Sequence, residues 1–169
     1  AAQYDEVILV GGLNHEHDSE GNDRADMKLP YEQDELIREV LKANPNTVIV
    51  MMAGSPVEMG NWIKDAKAVV WNWYSGMEGG NALAKVLFGR VSPSGKLPET
   101  FYKKHTDCFG HGLSYTTFAY SGAEIKRNGA KLQVSCDVTN TGDRAGKESD
   151  VVEVRIGSSS RNIRIARVL

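Results

Sequence analysis

The chain has 169 residues, 41% of them apolar and 25% charged, and its 22 acidic against 20 basic residues leave a formal charge of −2. That length holds one domain of ordinary size, or one and a half, and the composition is that of a globular protein. There is no basic excess of the kind nucleic-acid binding requires, and no apolar run nears the ~20 residues of a membrane-spanning helix.

The first residues, Ala1-Ala2-Gln3-Tyr4-Asp5, lack the basic and apolar regions of a signal peptide. Cys108 and Cys136 allow one disulfide at most. Cys136 shares an alternating apolar phase with Leu132, Val134 and Val138, so it is expected to be a small core residue. The compartment stays open, with a periplasmic or secreted location favoured over a cytoplasmic one.

In chain order, residues 6–10 predict a buried strand closed by Gly11-Gly12. Residues 31–43 predict a helix with Leu36, Ile37, Val40 and Leu41 on one face, stopped by Pro45. A second apolar strand follows at 47–52, then a short helix around 57–64, a third strand at 67–73 and a helix at 81–88 with Leu83, Val86 and Leu87 inward. Strands alternating with helices imply parallel pairing through right-handed crossovers. Continuous apolar strands imply cover on both faces. The fold class is therefore α/β, an open, mostly parallel sheet sandwiched by helices.

After Ser92-Pro93-Ser94-Gly95-Lys96 the texture changes to period-two alternation. Strands are expected from 118, at 131–139, at 151–156 and at 162–168, with a turn at Asn140-Thr141-Gly142-Asp143. This is a small all-β module. About 50 residues supply only half of the ~100 that an immunoglobulin-type sandwich uses.

Loops at the carboxyl ends of parallel strands carry the chemistry of open α/β sheets. Here they are 11–29, 53–57 and 74–80, and the carboxylates they offer are Glu16, Asp18, Glu20, Asp23 and Glu78. Acidic loop residues are commonly just solvated or cap helices, and Glu78, just before a helix, fits that reading best. Glu20 differs, because Gly21 removes steric cover beside it. Asp23 and Arg24 are expected to pair and hold the loop in shape. His15-Glu16-His17 lacks a third ligand at zinc spacing, so no metal is expected. Gly76, Gly79 and Gly80 meet neither the dinucleotide nor the P-loop pattern. Trp71, Trp73 and Tyr74 at a strand end are candidates for stacking on a sugar ring, with Trp71 leaning towards packing and Trp73 left open, and His15 is a further candidate for substrate contact.

Ser19-Glu20-Gly21-Asn22-Asp23-Arg24 followed by Leu29-Pro30-Tyr31-Glu32-Gln33 resembles the EG-x-DR and LP-x-x-Q blocks of glycoside hydrolase family 3. Further blocks match in the same order: Ser55-Pro56-Val57-Glu58, residues 73–84, residues 87–98, the Phe109-Gly110-His111-Gly112 link and Val138 to Glu148. The resemblance covers nearly the whole chain and is nearest to the β-glucosidase branch. It implies a flavodoxin-like α/β sandwich domain at 1–104, a connector at 105–118 and an incomplete fibronectin-III-like domain at 119–169.

The resemblance also implies a retaining, exo-acting β-glycosidase in which a preceding (β/α)-barrel domain supplies the nucleophile and Glu20 the general acid/base. Retention needs two carboxyl groups about 5–5.5 Å apart. A loop glutamate fully in water would not hold its proton for the substrate, so Glu20 is expected to act only when the cleft is closed. The expected substrate is a β-linked glucoside or short oligosaccharide. The expected partner is the barrel of the same protein, with no cofactor, no nucleic acid and no membrane; homodimer formation stays open. Two stretches of the family pattern are missing, one between Cys108 and Phe109 and one within Val151 to Gly157, and no nucleophile can be named. The chain alone is expected to be inactive. The rival readings are a catalytically incomplete carbohydrate-binding or scaffold module, and the same enzyme class acting on β-xylosides.

Overall fold

The computed structural model describes residues 1–101, 109–155 and 162–168; for 150–155 and 162–168 the description is of the backbone alone. Cys108, the first part of the expected connector and the Ile156-Gly157 junction lie outside the described residues. The chain forms two compact units, Ala1–Leu83 with Glu99–Cys108, and Ala84–Pro98 with Phe109–Leu169.

The first unit is built on a parallel sheet of three strands, β1 (Val7–Gly12), β2 (Thr47–Met52) and β3 (Ala68–Trp71), in the order β1-β2-β3. The register places Leu9 beside Ile49 and Ile49 beside Val69. The central strand is the core: Ile49, Val50 and Met51 are fully buried. Each such side chain contributes roughly 1.5–3 kcal/mol relative to exposure. Helix α1 (Gln33–Ala43) buries Ile37 and Leu41, and a second helix, α2 (Gly79–Leu87), follows β3.

Cover on both faces holds for β2 but not for β1. Ile8 and Val10, which alternation places on one face, are 48% and 55% exposed. The edge strand lacks a covering element on that side among the described residues. The short helix expected at 57–64 is also absent; residues 60–65 are turns. Val57, Met59 and Trp62 are all buried there, so packing demand rather than helical periodicity produced their spacing. The Glu58 N–H donates to the Met27 carbonyl at 2.6 Å, which ties this segment to the first loop.

The start of α1 is set by its neighbours. Tyr31 and Glu32 have φ of 58° and 56°, so the helix begins at Gln33 rather than 31. The Gln33 carboxamide then pairs with both backbone groups of Gly12: Oε1 accepts from N–H and Nε2 donates to C=O, each at 2.8 Å. A side chain thus completes the ladder where β1 ends.

The second unit holds two antiparallel hairpins, β4 (Phe118–Asn128) with β5 (Lys131–Asn140), and β6 (Ser149–Arg155) with β7 (Asn162–Val168). Its interior includes an ion pair, Lys96 to Glu148 at 2.7 Å, whose side chains are 14% and 9% exposed; the same ammonium donates to the Gly112 carbonyl. Asn140 organises the turn after β5, accepting from Thr116 Oγ1 and the Gly142 N–H and donating to the Arg144 carbonyl. Cys136 is exposed, contrary to the expectation of a core residue. Its phase was read correctly, but the face itself is open: Ile125, Leu132 and Val134 are 70%, 48% and 38% exposed.

Candidate functional site

The first loop leaves β1 through one helical turn. Asn14 nucleates it by accepting the Glu16 N–H on Oδ1, while its carbonyl receives the N–H groups of His17 and Asp18. An Asn side chain bonding two residues ahead is a turn-forming device. The chain then makes a tight turn at Ser19-Glu20-Gly21-Asn22, with an isolated bridge between Ser19 and Asn22. Gly21 has φ 82°, the value a type II turn demands at its third residue, where side chains are disfavoured. Glu20 therefore sits at the tip. It is exposed, and no hydrogen bond or ion pair among the described residues engages its carboxyl group.

The flanks of that tip are fastened. On one side, Asp18 Oδ2 accepts from the Gly54 N–H at 3.0 Å and from the Tyr74 hydroxyl at 2.7 Å. On the other, Arg24 donates to Ser55 Oγ and the Pro56 carbonyl, both at 3.0 Å, and to the Lys28 carbonyl at 3.2 Å. The guanidinium goes to the loop after β2, and the expected Asp23–Arg24 pair is not formed; Asp23 is exposed. Three well-placed acceptors outcompete a neighbouring carboxylate that solvent already satisfies. Farther back, the Tyr31 hydroxyl donates to Glu16 Oε2 at 2.5 Å and accepts from Asn14 Nδ2 at 3.1 Å. That bond to Glu16 holds the phenol proton, so the Tyr31 pKa is raised. The same ring meets His17 edge-on, with centroids 5.0 Å apart.

The remaining candidates are scattered. His15 is exposed. Glu78 accepts from Asn81 Nδ2 at 2.6 Å at the start of α2. Trp73 is half-buried against Trp71, which in turn packs edge-on to Phe101 at 4.6 Å. A hollow of about 270 Å³ opens at the carboxyl ends of β2 and β3, among Met52, Asn72, Tyr74, Ser75, Gly79 and Leu83, and Glu20 is not part of its wall. Among the described residues no cluster of three or more His, Cys, Asp or Glu could hold a metal, and no helix is long and apolar enough to cross a membrane. Sequence reading missed the roles of Asp18, Tyr31 and Tyr74, whose partners lie 15 to 56 positions away. For Asp18 and Tyr74 the only structural signal was a place in loops at the carboxyl ends of strands; Tyr31 fell within the expected helix 31–43.

Comparison with known proteins gives a consistent result. A β-glucosidase of Kluyveromyces marxianus is 40% identical over 204 aligned positions, covering 99% of this chain and 24% of the relative. One from Rhizobium radiobacter is 40% identical, covering 96% of this chain and 25% of the relative. The crystal structure of the Kluyveromyces enzyme in complex with glucose superposes with a TM-score of 0.82 at 38% identity, over 98% of this chain and 24% of that one. The chain thus spans about a quarter of the length of these relatives. Residues 1–134 match the model of the glycosyl hydrolase family 3 C-terminal domain, and the chain belongs to that family.

Proposed function

We propose that this chain supplies the proton donor of a retaining β-glycosidase, with Glu20 as general acid/base and a (β/α)-barrel domain as the source of the nucleophile. The observation that carries the reading is the state of Glu20: a carboxyl unengaged among the described residues, at the tip of a glycine-dependent turn whose flanks are fastened to the next two loops. A group so placed is free to meet a substrate brought to it. In the first step its proton passes to the glycosidic oxygen as the bond to the anomeric carbon breaks and the barrel carboxylate bonds that carbon. In the second, the resulting carboxylate takes a proton from water as the water displaces the enzyme ester. The substrate class is a β-linked glucoside, supported by relatives named as β-glucosidases and by the neighbour solved with glucose. The two hairpins of the second unit are read as part of the family's fibronectin-III-like domain.

Glu20→Ala in the full-length enzyme carrying this chain tests the reading. For an alkyl β-glucoside, kcat/KM should fall about 10²–10⁴-fold, the usual worth of a positioned proton donor. A dinitrophenyl β-glucoside, whose leaving group needs no proton, should lose far less. Added azide should restore turnover and yield a β-glycosyl azide. Unchanged turnover of both substrates removes Glu20 from the mechanism.

A further inference from the structure

Among the described residues nothing bonds the Glu20 carboxyl group, so its place depends on the backbone on either side. Two residues upstream, a single oxygen of Asp18 gathers the three loops at the carboxyl ends of the sheet: its own after β1, the Gly54 amide after β2 and the Tyr74 hydroxyl after β3. The fit is close. A Cβ on Gly54 would lie 2.7 Å from the Tyr74 ring and 2.9 Å from Asp18 Oδ2, so glycine is required for the amide to reach the carboxylate. Trp73, which precedes Tyr74, has φ 48°, a left-handed conformation that a bulky side chain keeps only where its surroundings enforce it. This left-handed residue sets the direction in which the chain enters Tyr74. Burial, followed by the bond to Asp18, raises the Tyr74 pKa, so the hydroxyl keeps the proton it donates.

We infer that Asp18 and Tyr74 are positioning residues, a clamp that holds the Glu20 turn in place for proton transfer without touching the substrate. This rests on the reading of Glu20 as proton donor. The clamp acts only through Glu20, so its loss must look like a partial loss of acid catalysis rather than a loss of folded enzyme.

The test uses the full-length enzyme with Asp18→Ala and Tyr74→Phe, the latter removing only one hydroxyl in case the former folds poorly. Each is expected to lower kcat/KM for an alkyl β-glucoside about 10- to 100-fold, the usual effect of a small misplacement. The value for a dinitrophenyl β-glucoside should change less than about two-fold. Introduced into Glu20→Ala, neither should cause further loss on the alkyl substrate. An equal fall on both substrates, or an undiminished fall in the Glu20→Ala background, overturns the clamp and leaves Glu20 as proton donor. Full activity of Glu20→Ala alone is a separate result that removes the proton donor and the clamp's role with it.

Discussion

At the scale of single residues, the first loop is governed by side chains that substitute for backbone. Gln33 shows this most directly. Its amide meets both polar groups of Gly12, and its Nε2 also reaches the Pro30 carbonyl at 3.1 Å. Gln33→Leu keeps the volume and leaves a part-buried donor and acceptor unpaired. It is expected to destabilise the chain by about 1–3 kcal/mol in denaturant unfolding, and a change below about 0.5 kcal/mol, the scatter of neutral surface changes, would show that water replaces the carboxamide freely. The motif containing Gln33 was legible as a pattern in the sequence. Its purpose was not, because the partner lies 21 positions away. The same holds for Asp18: its chemistry and its loop were both visible, but the bonds it makes to positions 54 and 74 follow from the sheet order β1-β2-β3.

At the scale of elements, periodicity located the regular structure where one force dominates. The apolar run at 47–52 became the buried strand β2 with the expected bounds, since a continuous hydrophobic segment of that length has few other places to go. The 57–64 segment was misread because its apolar residues answer to the loops and helix they pack under. Trp62 is one of these, and its indole N–H donates to Asp34 Oδ1 at 2.7 Å in the first turn of α1. Burial raises the Asp34 pKa above 3.8, with the Trp62 bond opposing and nearby Glu58 adding to the rise. The folded chain therefore binds this proton more tightly than the unfolded chain does. Stability falls as pH climbs from the unfolded pKa through the folded one, and the penalty is complete above it. Asp34→Asn keeps an acceptor for the indole and removes the charge. The variant is expected to be at least as stable as the parent at pH 7, with the difference vanishing below about pH 4, measured as the unfolding midpoint across that range. A variant less stable at pH 7 would mean that the favourable charge at a helix N-terminus outweighs desolvation.

At the scale of the whole molecule, each unit leaves apolar surface in water. In the first it is Ile8 and Val10 on the edge strand; in the second it is Ile125, Leu132 and Val134 on the β4–β5 hairpin. Alternation places Leu132 and Val134 in one phase of β5, and the register adds Ile125 to their face, but no local pattern reveals whether a face has a cover. The alignment with the Kluyveromyces relative runs over 204 positions against a chain of 169 residues, so that relative carries internal stretches this chain lacks. A sheet face designed for burial and left without its neighbours should be energetically indifferent to polar replacement. Ile125 and Val134 are direct cross-strand partners, which makes them a clean pair for the comparison. The double change Ile125→Lys with Val134→Thr is expected to leave the unfolding free energy within about 0.5 kcal/mol of the parent, as surface substitutions do, and to lower the fluorescence of a bound hydrophobic dye. A loss of about 2–5 kcal/mol, the range for removing buried aliphatic groups, would mean that this face is covered in solution and that the hairpin belongs to a larger core.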